Sequence, residues 1–181
     1  MTLPNLITIG RLVLVPVVVV MIVQRQWAAA FALFVAAGLS DAVDGYIARR
    51  FDQRSEFGAV LDPLADKALM VSIFVTLAIR DVLPSWFAIA VVARDAMMVA
   101  AILVSWLMER RVAIAPLLVG KLNTAAQIAF AALVLGASAF PGQLGWLEGW
   151  GLTIWGSAIV LALTIGSAAA YLAGCLRHMA A

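Results

Sequence analysis

Two long stretches of this chain, 122–147 and 149–176, contain no charged side chain. Each exceeds the roughly 20 residues a helix needs to cross about 30 Å of hydrocarbon. The remainder is nearly as apolar: 65% of the 181 residues are hydrophobic and 12% are charged. A soluble domain would carry roughly a quarter charged residues. The chain therefore reads as an all-α, polytopic membrane protein, one domain over 1–181. Six transmembrane helices are expected near 9–24, 28–50, 57–79, 85–108, 117–139 and 150–175. Polar, Pro and Gly punctuation falls between them, at 24–26, 52–55, 81–84, 109–116 and 140–142. Trp27, Trp86, Trp106, Trp146 and Trp150 lie near span ends, where an aromatic belt would sit.

A net charge of +2 gives no reason to expect nucleic-acid binding. Cys175 is the sole cysteine and His178 the sole histidine, which excludes an intrachain disulfide and a thiolate metal cluster. Arg49, Arg50, Arg54, Arg110, Arg111 and Arg177 fall on one set of connections, and Arg25 and Arg80 on the other. The positive-inside bias puts the first set and both termini in the cytosol. The start of the chain lacks the basic residues and small-residue cleavage site of a secretory signal, so the first span is expected to be retained. A bacterial cytoplasmic membrane is the expected location.

The first four spans differ from the last two. Their purely apolar runs, 12–23, 68–79, 82–93 and 96–108, are too short unless neighbouring charges also enter the helix. Those charges should then face a polar cavity open to the cytosol. Four carboxylates dominate this group: Asp41, Asp44, Asp62 and Asp66. At about 100° per residue, Asp41, Asp44, Gly45, Ala48 and Arg49 share one side of a helix. Gly58, Asp62 and Asp66 share one side of the next. A short basic connection makes the two helices antiparallel neighbours, so the carboxylates converge. All-oxygen ligands suit Mg²⁺ or Mn²⁺, and four carboxylates could hold two ions for displacement at phosphorus. Gly45 and Gly58 allow close approach of a ligand, and Arg49 can grip phosphate oxygens. Surface salt bridges explain the cluster poorly, because nearby arginines are too few to neutralise it. An ion-transport path would use the carboxylates but leave the Gly45, Arg49 and Gly58 spacing unexplained.

The spacing D-x2-D-G-x2-A-R-x8-G-x3-D-x3-D, from Asp41 to Asp66, is matched at every specified position. It resembles the signature of the CDP-alcohol phosphotransferases, and the likeness extends from Pro4-Asn5-Leu6-Ile7-Thr8 to about Gln127. The resemblance implies six transmembrane helices, a homodimer, and a binuclear metal site at the cytosolic boundary. It implies a CDP-linked lipid donor such as CDP-diacylglycerol, with CMP leaving. Asp41, Asp44, Asp62 and Asp66 become metal ligands, and Asp66 also the general base. Gly45, Ala48, Arg49, Ser55 and Gly58 would contact the donor, with Asn5 and Thr8 reaching it from the N-terminal segment. Asn5 and Thr8 could instead cap the first helix, and Ser55 the third.

The acceptor is read from later residues. Arg94, mid-span, should face the cavity, because adjacent positions such as Arg94 and Asp95 point about 100° apart. With Lys121 it would form a positive pocket for a phosphate or phosphodiester. The stretches Arg94-Asp95 and Lys121-Leu122-Asn123-Thr124 resemble CMP-forming cardiolipin synthases. Phosphatidylglycerophosphate synthases tend to carry Arg-Glu and Lys-x-Lys-Thr there. Glycerol 3-phosphate, a dianion, favours another cation; phosphatidylglycerol, a monoanionic diester, fits Asn123. Phosphatidylglycerol is therefore the expected acceptor and glycerol 3-phosphate the alternative.

Overall fold

The computed structural model describes residues 3–51, 56–107 and 118–179, with side chains over 9–40, 65–100 and 118–171. Regular structure among the described residues is helical throughout: α1 Leu3–Val23, α2 Trp27–Phe51, α3 Glu56–Ile79, α4 Ser85–Leu107, α5 Leu118–Ala139, α6 Pro141–Leu144, α7 Trp146–Gly149 and α8 Leu152–Met179. The six long helices have 21 to 28 residues, or about 30–40 Å at 1.5 Å per residue. Four of them lie where the sequence puts them, to within a residue at each end. The last, expected at 150–175, runs Leu152–Met179, and the first departs further. It starts at Leu3 rather than near residue 9, because Pro4 is tolerated in a first turn whose N–H groups have no intrahelical partner. Asn5 and Thr8 therefore lie inside α1, not in a segment or cap ahead of it. The connection before α8 coils into two single turns, α6 and α7.

Among the described residues, two helical segments are long and apolar enough to cross a membrane, Leu118–Ala139 and Leu152–Tyr171. The apolar parts of α1 and α2 are shorter, Ile9–Val23 and Trp27–Ser40. Charged residues lie within the first four helices: Arg11 in α1, Asp41, Asp44, Arg49 and Arg50 in α2, Glu56, Asp62, Asp66 and Lys67 in α3, Arg94 and Asp95 in α4.

The α1–α2 and α3–α4 turns share one geometry. Arg25 and Asp81 both adopt φ 58°. The N–H of Gln26 donates to Met21 O at 2.9 Å and that of Arg25 to Ile22 O at 3.0 Å. Val82 and Asp81 donate likewise to Leu77 O and Ala78 O, at 2.9 and 3.1 Å. This is the left-handed Schellman ending, which satisfies the last carbonyls of a helix and reverses the chain within a few residues.

Helix α1 packs on α2 and α3, α2 on α5, α3 on α4, and α8 on both α4 and α5. Val18, Ile22, Phe34, Ile73, Phe74, Leu77, Phe87, Val134 and Leu135 fill the centre. The outside is apolar too: Val13, Val20, Ile89, Trp155, Ile159 and Ile165 are exposed. Helices apolar on all sides suit a lipid solvent rather than water.

Candidate active site

Three rings define a floor. Phe74 of α3, Phe87 of α4 and Phe130 of α5 meet with centroids 5.2, 5.4 and 6.4 Å apart. Seven positions from each ring, on the side away from the α3–α4 turn, stand Lys67, Arg94 and Asn123. Seven residues are two helical turns, about 10 Å along the axis and nearly in line. These three polar residues therefore share one level above the rings. Helix α2 reaches the same level at Asp44: Phe31 lies against Gly136, and thirteen positions separate Gly136 from Asn123 and Phe31 from Asp44. On α3, α4 and α5 the sequence builds this layer by placing a polar residue two turns from an aromatic.

Within the layer, Arg11 of α1 is 3% exposed. Its Nη1 donates to Asp66 Oδ1 of α3 at 2.5 Å. Next to Asp66, Lys67 Nζ lies 2.9 Å from Asp95 Oδ1. The same oxygen accepts from Arg94 Nη1 at 2.7 Å, and Arg94 Nη2 donates to Ser167 Oγ of α8 at 2.8 Å. Asn123 Oδ1 accepts from Thr164 Oγ1 of α8 at 3.0 Å. One ion-pair and hydrogen-bond network thus links α3, α4 and α8, and a second pair links α1 to α3.

One expectation about the acceptor pocket needs correction. Arg94 and Asp95 do pair, although neighbours on a helix diverge; the long guanidinium stem bends back to the carboxylate. Lys121 is exposed and makes no ion pair among the described residues. Lys67, from the helix of the aspartates, is a further cation near Arg94, with which it shares Asp95 Oδ1. Arg11 was not singled out by sequence reasoning either. The signal available was that Arg11 is the sole charge ahead of the apolar run of the first helix.

Three N–H groups in and beside the layer have no partner among the described residues: Arg94 Nε, Asn123 Nδ2 and Gln127 Nε2. Asn123 is 0% and Gln127 3% exposed. A buried donor left unmet costs about 1–3 kcal/mol, so a protein that keeps such groups has a use for them.

Of the remaining expected site residues, Asn5, Thr8, Asp41, Asp44, Gly45, Ala48, Arg49, Gly58 and Asp62 lie in described helices, but their side chains lie outside the described residues. Ser55 lies outside them altogether. Asp41 and Asp44 are less than one turn apart on α2, and Asp62 and Asp66 one turn apart on α3. The described Asp66 carboxylate is 49% exposed while paired with Arg11. An oxygen-only donor set of this kind fits a hard divalent cation. Among the described residues alone, no group of three or more metal-ligating side chains is found.

Residues 1–168 match the CDP-alcohol phosphatidyltransferase family. The chain belongs to the CDP-alcohol phosphatidyltransferases. The match covers all four aspartates and every residue of the polar layer named above. Among curated relatives, the "Probable cardiolipin synthase (CMP-forming)" of Drosophila melanogaster is 38% identical over 153 residues, 76% of this chain and 48% of that one. The "Cardiolipin synthase (CMP-forming)" of Homo sapiens is 39% identical over 102 residues, 56% of this chain and 34% of that one. That of Streptomyces coelicolor is 34% identical over 170 residues, 88% of this chain and 77% of that one. The chain thus spans half or less of the animal relatives it matches and about three quarters of the bacterial one. Membership in the family makes the chain a transferase of phosphate-containing groups.

Proposed function

We propose that this phosphatidyltransferase is a CMP-forming cardiolipin synthase. It transfers the phosphatidyl group of CDP-diacylglycerol to phosphatidylglycerol. The observation that carries the acceptor is the likeness to relatives so named, across 88% of the chain in the Streptomyces case. The polar layer supports it. Its described charges are three cations, Arg11, Lys67 and Arg94, against two carboxylates, Asp66 and Asp95. A lysine in place of Asn123 would add a fourth cation at the same level. The amide keeps the layer suited to a monoanionic diester.

In the reaction, the free glycerol hydroxyl oxygen of phosphatidylglycerol bonds to the β-phosphorus of CDP-diacylglycerol. The bond from that phosphorus to the oxygen bridging the two phosphates breaks. CMP leaves with the bridging oxygen, and the hydroxyl proton passes to the Asp66 carboxylate. Arg11 holds that carboxylate in one orientation toward the acceptor. Mg²⁺ or Mn²⁺, as two ions on Asp41, Asp44, Asp62 and Asp66, would acidify the hydroxyl and neutralise the diphosphate. Gly45, Ala48, Arg49, Ser55 and Gly58 would hold the cytidine diphosphate, with Asn5 and Thr8 approaching from the first two turns of α1. Arg94, with Asn123 and the more exposed Lys121, would hold the acceptor phosphodiester.

The chain acts as one domain of six transmembrane helices in a bacterial cytoplasmic membrane. Its site faces the cytosol, and it works as a homodimer, as the family resemblance implies. The test is purified protein given CDP-diacylglycerol with each acceptor in turn, products read by mass spectrometry. Cardiolipin and CMP are expected from phosphatidylglycerol. EDTA should abolish turnover and Mg²⁺ or Mn²⁺ restore it. Phosphatidylglycerophosphate from glycerol 3-phosphate, with no cardiolipin, would identify the other acceptor.

A further inference from the structure

We propose that Asn123 and Gln127 form a neutral hydrogen-bonding subsite for the uncharged glycerol oxygens of the acceptor headgroup. The proposal rests on the phosphatidylglycerol reading above, moves Asn123 from the phosphodiester to the glycerol oxygens beside it, and adds Gln127, to which that reading gives no role. Asn123 and Gln127 stand four residues apart, on one face of α5. Both are more than nine-tenths buried, and each holds an N–H without a partner among the described residues. Asn123 Oδ1 already accepts from Thr164, whereas its Nδ2 has no partner among the described residues. Phe130 follows on the same face and closes the subsite below with Phe74 and Phe87. Asn123 is level with Arg94 and Lys67, and with Asp44 on α2.

What such a subsite takes follows from what it presents. Two amide N–H groups call for oxygen acceptors and bring no charge. The ion pairs beside them already account for Arg94, Lys67 and Asp95. A phosphodiester can be met by the residual positive charge of that cluster. The glycerol oxygens beside it need donors that do not raise the charge further. Unmet amides destabilise the protein without substrate and are satisfied on binding, a trade of stability for function. This gives the proposal a signature that a merely structural role lacks.

The full-length protein is purified in detergent, and Gln127→Met is compared with wild type. Three quantities are read: KM for phosphatidylglycerol at saturating CDP-diacylglycerol, KM for CDP-diacylglycerol, and the thermal midpoint without substrates. Methionine keeps the volume and removes the donor. The expected result is an acceptor KM raised about three- to tenfold, as for one neutral hydrogen bond. The donor-lipid KM should stay within about twofold, with the midpoint unchanged or higher. An unchanged acceptor KM would overturn the proposal whatever the midpoint, because the acceptor would then make no use of the amide. A raised KM for CDP-diacylglycerol alone would also overturn it, assigning the amides to the other lipid. Should Gln127→Met fail to fold, Gln127→Leu removes the same donor without adding a charge and carries the same expectation. Wild-type product analysis separates the two readings. A wild type that makes no cardiolipin removes the acceptor reading, whereas one that makes it while both variants keep the wild-type acceptor KM removes this one.

Discussion

Arg11 belongs to the first helix and Asp66 to the third, 55 positions away, yet their side chains are paired. A buried arginine is tolerated only with partners that compensate its lost hydration. The pairing ties the N-terminal helix to the carboxylate read here as the base. Charge alone does not reproduce this contact, because a guanidinium is a rigid planar fork and an ammonium is not. Arg11→Lys is therefore expected to keep more activity than Arg11→Met, and both less than wild type, in a CMP-release assay. Asp66→Asn, which keeps shape and loses the negative charge, should lower turnover about 10²-fold or more. Equal activity for Arg11→Met and wild type would remove Arg11 from the site. The four aspartates were legible because their spacing is a chemical pattern inside an apolar chain. Arg11 and Lys67 were not, because a lone cation beside an apolar run reads equally as an interface anchor. Only the fold reveals which carboxylate each one meets.

Helix α8 shows how close contact is set by one residue. A Cβ at Gly156 would lie 2.3 Å from Cε2 of Phe130. That ring is held by Phe74 and Phe87 and has little room to retreat. Gly156→Ala should destabilise by about 1–3 kcal/mol through overpacking. Gly166, ten residues on in the same helix, meets nothing within 4 Å. Gly166→Ala should be neutral or stabilise by up to about 1 kcal/mol, the helix-propensity gain. Thermal unfolding of the two variants in one detergent checks the contrast, and similar midpoints would refute the packing account. The long helices were legible because hydrophobic run length and polar punctuation coincide at 57–79, 85–108 and 117–139. The start of α1 was not, since Pro4 and Asn5 fit a segment ahead of a helix as well as a first turn. The Arg94–Asp95 pair was also hidden, because helical periodicity fixes where a Cβ points but not where a long side chain ends.

As a whole, the molecule is apolar outside, polar in one inner layer, and aromatic beneath it. The proposed orientation sets the α6–α7 connection on the face opposite the arginine-rich connections. Gln143 there is exposed. A cysteine at Gln143, in a Cys175→Ser background, should react with an impermeant thiol reagent only from the non-cytosolic side of sealed vesicles. Labelling from the cytosolic side would invert the topology. The layered arrangement was legible in part. The short apolar runs required charges inside the first four helices. The level at which those charges meet depends on helix register, which ring contacts fix and sequence does not. The ring floor has its own consequence. A membrane that stores energy as an ion gradient tolerates no wet path across it. A layer of charged side chains partway through that membrane, reached by water from one side, would be half of such a path. Phe74, Phe87 and Phe130 would then be its stopper, and the same three rings that underlie the polar layer would keep the membrane electrically tight.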